Sequence, residues 1–151
     1  MAVTFTNNWL NILNKLQSVL RTEFKNALPV YIGHEEDKAG NQYLRLDPAS
    51  SELLEYNINS ETREFTINFF YVFSGAQNIK GGSLDHVLRY VSRIEALIHD
   101  NVAMTLDVGA DADTTKAFNC RFETTELNTD ESESTYVVEW VYKCQHLGNT
   151  G

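Results

Sequence analysis

Apolar residues along this chain follow two periods, one helical and one of strands. Between Trp9 and Phe24 they stand at Trp9, Leu10, Ile12, Leu13, Leu16, Val19, Leu20 and Phe24, a spacing that gathers them on one face of an α-helix. Asn8 is placed to cap its start, and Pro29 marks the region where it stops. A second helix is predicted from Leu84 to His99, with Leu84, Val87, Leu88, Val91, Ile94 and Ile98 as its buried stripe. Ser83 is its expected cap, and Asp85 suits the positive end of the helix dipole.

The alternating period marks the strands. Phe65, Ile67, Phe69, Tyr71 and Phe73 alternate with Thr66, Asn68, Phe70 and Val72, so a strand is predicted from Arg63 to Phe73. Its partner is Leu53 to Tyr56, joined by a turn around Asn59-Ser60-Glu61-Thr62, with Asp47-Pro48-Ala49-Ser50-Ser51 as an interruption before it. Val30 to Gly33 and Tyr43 to Leu46 read as an earlier hairpin whose polar tip runs from His34 to Gln42. Met104 to Val108 is a short strand candidate, followed by a loop from Gly109 to Thr115.

The last third predicts a long hairpin. Phe118, Cys120 and Phe122 alternate with polar neighbours, as do Tyr136, Val138, Trp140, Tyr142 and Cys144, around a loop from Asn128 to Ser134. Pairing symmetric about Ser132 sets Cys120 opposite Cys144, Phe122 opposite Tyr142 and Thr124 opposite Trp140, with the aromatic residues on one face. The expected fold class is therefore α+β: an antiparallel or mixed β-sheet, two main α-helices packed on one face, and a long C-terminal β-hairpin. Residues 1–151 are the length of one domain, and no linker or repeat divides them.

Composition changes this picture only through charge. Twelve Lys and Arg against 21 Asp and Glu give a net charge of −9, which repels a phosphate backbone and argues against specific nucleic-acid binding. The acidic residues bunch in two predicted loops, Glu35, Glu36 and Asp37 in the first and Asp130, Glu131 and Glu133 in the second. Such runs are usually solvated surface, and here they are also candidate lumen or partner-facing loops. No apolar run approaches the roughly 20 residues that cross a bilayer, and Met1 to Asn8 lacks a secretory pattern, so no membrane association is expected and synthesis is placed in the cytoplasm.

The motifs of chemistry are missing. Lys80-Gly81-Gly82-Ser83 precedes a helix but lacks the order of a phosphate-binding loop, and no G-x-G-x-x-G or G-x-S-x-G occurs. His34, His86, His99 and His146 are dispersed without metal spacing. Asp107, Asp111 and Asp113 resemble a calcium loop only until Phe122, which stands where the bidentate glutamate belongs. Cys120 and Cys144 are expected as reduced core thiols, a disulfide between them being the minor alternative. No catalytic residue, cofactor or metal is predicted, and the protein is not expected to be an enzyme.

The order of elements along nearly the whole chain resembles the tail terminator (tail completion) proteins of long-tailed bacteriophages. The resemblance is carried by the helix Trp9 to Phe24, the strands Val30-Tyr31-Ile32-Gly33, Tyr43-Leu44-Arg45-Leu46 and Arg63-Glu64-Phe65-Thr66-Ile67-Asn68-Phe69, the glycine-bearing loop, the second helix, and the closing strand Tyr136-Val137-Val138-Glu139-Trp140-Val141-Tyr142. It implies a virion protein of the tail or neck that forms a homo-hexameric ring. Such a ring caps the tail tube, ends its polymerisation and offers a surface to the head connector or stopper protein, and in contractile tails to the sheath. DNA would pass through without specific binding. Two other readings stand beside it: a head-completion or stopper protein, and a small-ligand-binding α+β domain that uses the aromatic face of the last hairpin as a pocket wall.

Overall fold

The computed structural model describes residues 8–33, 42–57, 60–74, 83–106, 116–130 and 135–149. Within them the chain runs α1 (Asn8–Phe24), a short 3-10 turn (Lys25–Ala27), β1 (Val30–Ile32), β2 (Gln42–Tyr56), β3 (Ser60–Phe73), α2 (Ser83–Asp100), β4 (Met104–Thr105), β5 (Lys116–Asp130) and β6 (Thr135–Asn149). The strands form one mixed six-stranded sheet in the order β1-β2-β3-β6-β5-β4. The architecture is α+β, two helices and a mixed sheet.

The centre of the sheet is the antiparallel pair β3 and β6, in register from Ser60 opposite Asn149 to Phe73 opposite Tyr136 without a shift. Every odd position of β3 from Phe65 to Phe73 is buried, as is every even position of β6 from Val138 to His146. Trp9 of α1 meets Phe65 edge-on at 4.8 Å, and Tyr90 of α2 stacks on Tyr71 at 5.7 Å. The helices also touch each other, with Phe24 stacked on Tyr90. All these residues belong to one apolar cluster that includes Ile12, Leu16, Leu20, Val87, Ile94 and Ile98.

The helix stripes are narrower than their spacing predicts. Leu10, Leu84 and Leu88 are each 45% exposed. On α2 the rings of His86 and Tyr90, packed against Phe73 and Tyr71, set the inward direction and turn Leu84 and Leu88 to the flank. Lys25, at φ +53, is left-handed and stops α1 five residues before Val30.

Four expectations are corrected. The first concerns β1 and β2, which are parallel rather than a hairpin, with Val30 opposite Leu44 and Ile32 opposite Leu46. Contacts with α1 decide the direction: Gln17 Nε2 and Arg21 Nη2 both donate to the Val30 carbonyl at 3.0 Å, tying β1 beside the helix that precedes it. Second, Asp47 to Ser51 does not interrupt a strand; β2 runs through it with a bulge between Pro48 and Ser50. Pro48 is tolerated there because β1 has already ended, so the side of β2 away from β3 is an open edge. Third, Ser60 to Thr62 belong to β3 rather than to a turn.

The fourth correction is in the last hairpin. Phe122 does pair with Tyr142, and Cys120 lies in a bulge beside Cys144, but Thr125 rather than Thr124 faces Trp140. Two bulges, between Phe118 and Arg121 and between Phe122 and Thr124, shift the register. At the first, Asn119 takes φ +53, and the parity of β5 reverses: Ala117 is buried and Phe118 is exposed. The predicted strand around Met104 is confined to Met104–Thr105 within the described residues, and Val108 and the following loop lie outside them.

The Asn119 bulge yields a stability prediction. Asn119→Gly should change unfolding free energy by less than about 0.5 kcal/mol, whereas Asn119→Val should cost about 1–2 kcal/mol, because a β-branched residue resists positive φ. Urea denaturation of the two variants checks this.

Candidate assembly surfaces

Polar groups inside the structure serve packing. Tyr71 Oη donates to Gln42 Oε1 at 2.6 Å, and His86 Nε2 lies 3.1 Å from the same oxygen, joining β2, β3 and α2. Glu95 Oε1 accepts from Trp140 Nε1 at 3.1 Å and from Thr125 Oγ1 at 2.9 Å, fastening α2 to β6 and β5. Burial, and secondarily the neighbouring Tyr90, raises the Tyr71 phenol well above its ordinary 10.0. Burial, with Cys144 and Cys120 adding to it, does the same for Tyr142. Cys120 and Cys144 are free and buried. Among the described residues no group of three His, Cys, Asp or Glu side chains could hold a metal ion, and no helix is long and apolar enough to cross a membrane.

The sheet face opposite the core is half-buried and balances its own charge. Glu64 lies 3.2 Å from Arg121 and 3.8 Å from Lys143, and Glu123 lies 2.8 Å and 3.5 Å from the same two cations. Arg45 pairs with Asp47 at 3.0 Å and sits 4.4 Å above the Phe70 ring. Paired in this way, these cations leave no surplus positive charge for a phosphate.

The two ends of the sheet differ. At one end Gln42 pairs with Phe73, Phe73 with Tyr136, and Tyr136 with Thr129. The segment carrying Glu131 and Glu133 attaches to this end between Asp130 and Thr135, whereas the one carrying Glu35, Glu36 and Asp37 leaves from Gly33, beside Leu46, and reaches this end only at Gln42. The roots at Gln42 and Asp130 are three strand spacings apart, about 14 Å. Those five acidic residues lie outside the described residues, while Asp130 ends β5, with its backbone paired to Thr135. The fold therefore brings both roots of the second predicted acidic loop, and the C-terminal root of the first, to one end.

The other end carries features that sequence reading missed. From Pro48 to Asn57 every residue of β2 and its end is exposed, although the strand stays paired to β3. This projecting arm holds Leu53 and Leu54 between Glu52 and Glu55, followed by Tyr56, which is 66% exposed. Phe118 and Leu147 are also exposed at this end. Along the sheet edge, beyond the 3-10 turn, Arg21, Lys25, Leu28, Pro29 and Val30 line a shallow groove of about 380 Å³. The signal for the arm was present as an apolar pair inside an acidic stretch with no helical or strand-like burial of its own.

Comparison with known proteins finds likeness in fold alone. No protein-family model matches the chain, and no curated protein sequence matches it. A solved chain from the virion of a native gene transfer agent particle superposes with a TM-score of 0.55 at 12% identity, covering 88% of this chain and 84% of that one. A second solved chain, whose name states no function, gives a TM-score of 0.58 at 17% identity over 93% of this chain and 96% of that one. The shared fold thus spans most of both chains in each case.

The buried phenols predict an alkaline limit. Below pH 10.0 both states hold these protons; above it the unfolded chain releases them while the native chain, with Tyr71 and Tyr142 raised, does not. Stability therefore falls as pH rises past 10, by up to about 1.4 kcal/mol per pH unit for each phenol. Urea midpoints between pH 9 and 11.5 should show this slope, and Tyr71→Phe and Tyr142→Phe should each flatten it.

Proposed function

We propose that this chain is a structural protein of a phage-like virion, and specifically a tail terminator. In this reading copies of the chain form a hexameric ring on the head-proximal end of the tail tube. The ring stops subunit addition and presents a docking surface to the head connector or stopper. Its action needs no catalysis and no cofactor.

The observation that carries the reading is the fold shared along most of its length with a chain of the gene transfer agent virion. Three properties of the molecule support it. Among the described residues no strand pairs with β2 beyond Leu46 or with the outer side of β5 beyond Cys120, whose N–H donates to the Val102 carbonyl, and at such edges a heterologous contact between copies can form. The root of the segment bearing Glu131 and Glu133 and the C-terminal root of the one bearing Glu35, Glu36 and Asp37 share one end of the sheet, so a ring that turned this end inward would gather acidic residues there. With a net charge of −9, such a lining lets DNA pass without adhesion.

The reading is tested by removing the gene from the phage that carries it. The expected result is filled heads together with free tails of irregular, overextended length. Tails of normal length would overturn the terminator role. Negative-stain images of the protein added to purified tail tubes should show a sixfold cap at one end.

A further inference from the structure

The arm and the groove described above are complementary, and the molecule cannot bring its own two together. The arm offers Glu52 and Glu55 on the face away from the helices and Leu53 and Tyr56 on the other, with Leu54 in the bulge between Leu53 and Glu55. Inserted edge-on, it presents carboxylates and apolar side chains at once. The groove offers the converse pair: the exposed cations Arg21 and Lys25 beside the half-buried Pro29.

Lys25 is exposed and makes no ion pair among the described residues, and neither Glu52 nor Glu55 has one. Arg21 spends one nitrogen on the Val30 carbonyl. Elsewhere the described arginines Arg45, Arg63, Arg89, Arg93 and Arg121 are already paired with carboxylates. The groove therefore concentrates cationic charge not yet balanced in a chain whose net charge is −9.

Distance makes the contact intermolecular. Val30 in the groove is opposite Leu44 of β2, and Leu53 lies nine residues further along the same continuous strand. At about 3.3 Å per residue that is about 30 Å, and an extended strand does not fold back on itself.

We infer that the β2 arm, Ser50 to Tyr56, seats in the groove between Arg21 and Pro29 of a second copy of this chain. Donor and acceptor lie at different places on one molecule, so the contact is head-to-tail and repeats from copy to copy. Glu52 and Glu55 pair with Lys25 and Arg21, while Leu53 and Leu54 cover Pro29. The inference deepens the ring reading by naming its joint, and it rests on that reading only for the number of copies.

The test uses the full chain in solution. Equal parts of 15N-labelled and unlabelled protein at about 0.5 mM, a concentration that populates contacts of millimolar-to-micromolar affinity, are treated with a water-soluble carbodiimide, which joins a carboxylate to an amine in contact with it. Peptide mass spectrometry should find Lys25 linked to Glu52 or Glu55 in mixed-isotope pairs. Lys25→Gln should weaken self-association by about tenfold, Glu52→Gln with Glu55→Gln by more because it removes both ion pairs, and the triple variant should be no weaker than the glutamate pair alone, because Lys25→Gln then removes nothing further. Lys25→Gln disturbs no bond described above, and unchanged circular dichroism confirms that it folds. Absence of the mixed link, effects that add, or links from the arm only to other lysines would overturn the joint. Tail length in the phage lacking the gene is read independently, so a failed joint leaves the terminator role to stand or fall on its own test.

Discussion

The β3 to β6 ladder is the constraint on which the rest of this structure depends. Its 14 pairs, Ser60 to Phe73 against Asn149 to Tyr136, contain no bulge. Because side chains alternate strictly along a strand, one unbroken register assigns every residue of both strands to a face. Phe65, Phe69, Tyr71, Trp140 and Tyr142 are thereby fixed on the core side, and Glu64 and Lys143 on the other. A slip of one residue would exchange the two sets.

The irregularities are confined to the strands outside that ladder. Both β2 and β5 carry two bulges, and both are edge strands over much of their length, since β1 and β4 each cover only a few residues. An outer strand can absorb an extra residue because it has a single neighbour to stay in step with. This division gives the molecule a regular centre and two irregular margins. Bulged and partly covered edges also resist indiscriminate pairing, which protects the free protein from aggregation.

Charge follows the same division. The face opposite the core neutralises itself through Glu64, Arg121, Glu123 and Lys143, pairs too exposed to add much stability. The unbalanced groups are peripheral: the acidic arm at one end, the roots of the second acidic loop at the other, and the cationic groove on the β1 edge. A molecule built in this way has little attraction for phosphate.

Much of the fold was legible in the sequence because periodicity is a local property. Both helices, the alternating strand to Phe73, the long final hairpin and the pairing of Phe122 with Tyr142 follow from spacing alone, as does the bunching of acidic residues in two segments. What spacing cannot specify is direction and neighbourhood. The parallel course of β1 came from Gln17 and Arg21 of α1 reaching the Val30 carbonyl, and the continuity of β2 through Pro48 came from the absence of a partner on that side. The exposure of Phe118 in place of Ala117 came from one left-handed residue, Asn119. The sequence by itself determined which segments are amphipathic and that the chain is acidic and poor in catalytic motifs. Only the tertiary structure decided which apolar residues stay uncovered, because burial depends on what lies across from a residue rather than on its neighbours in the chain.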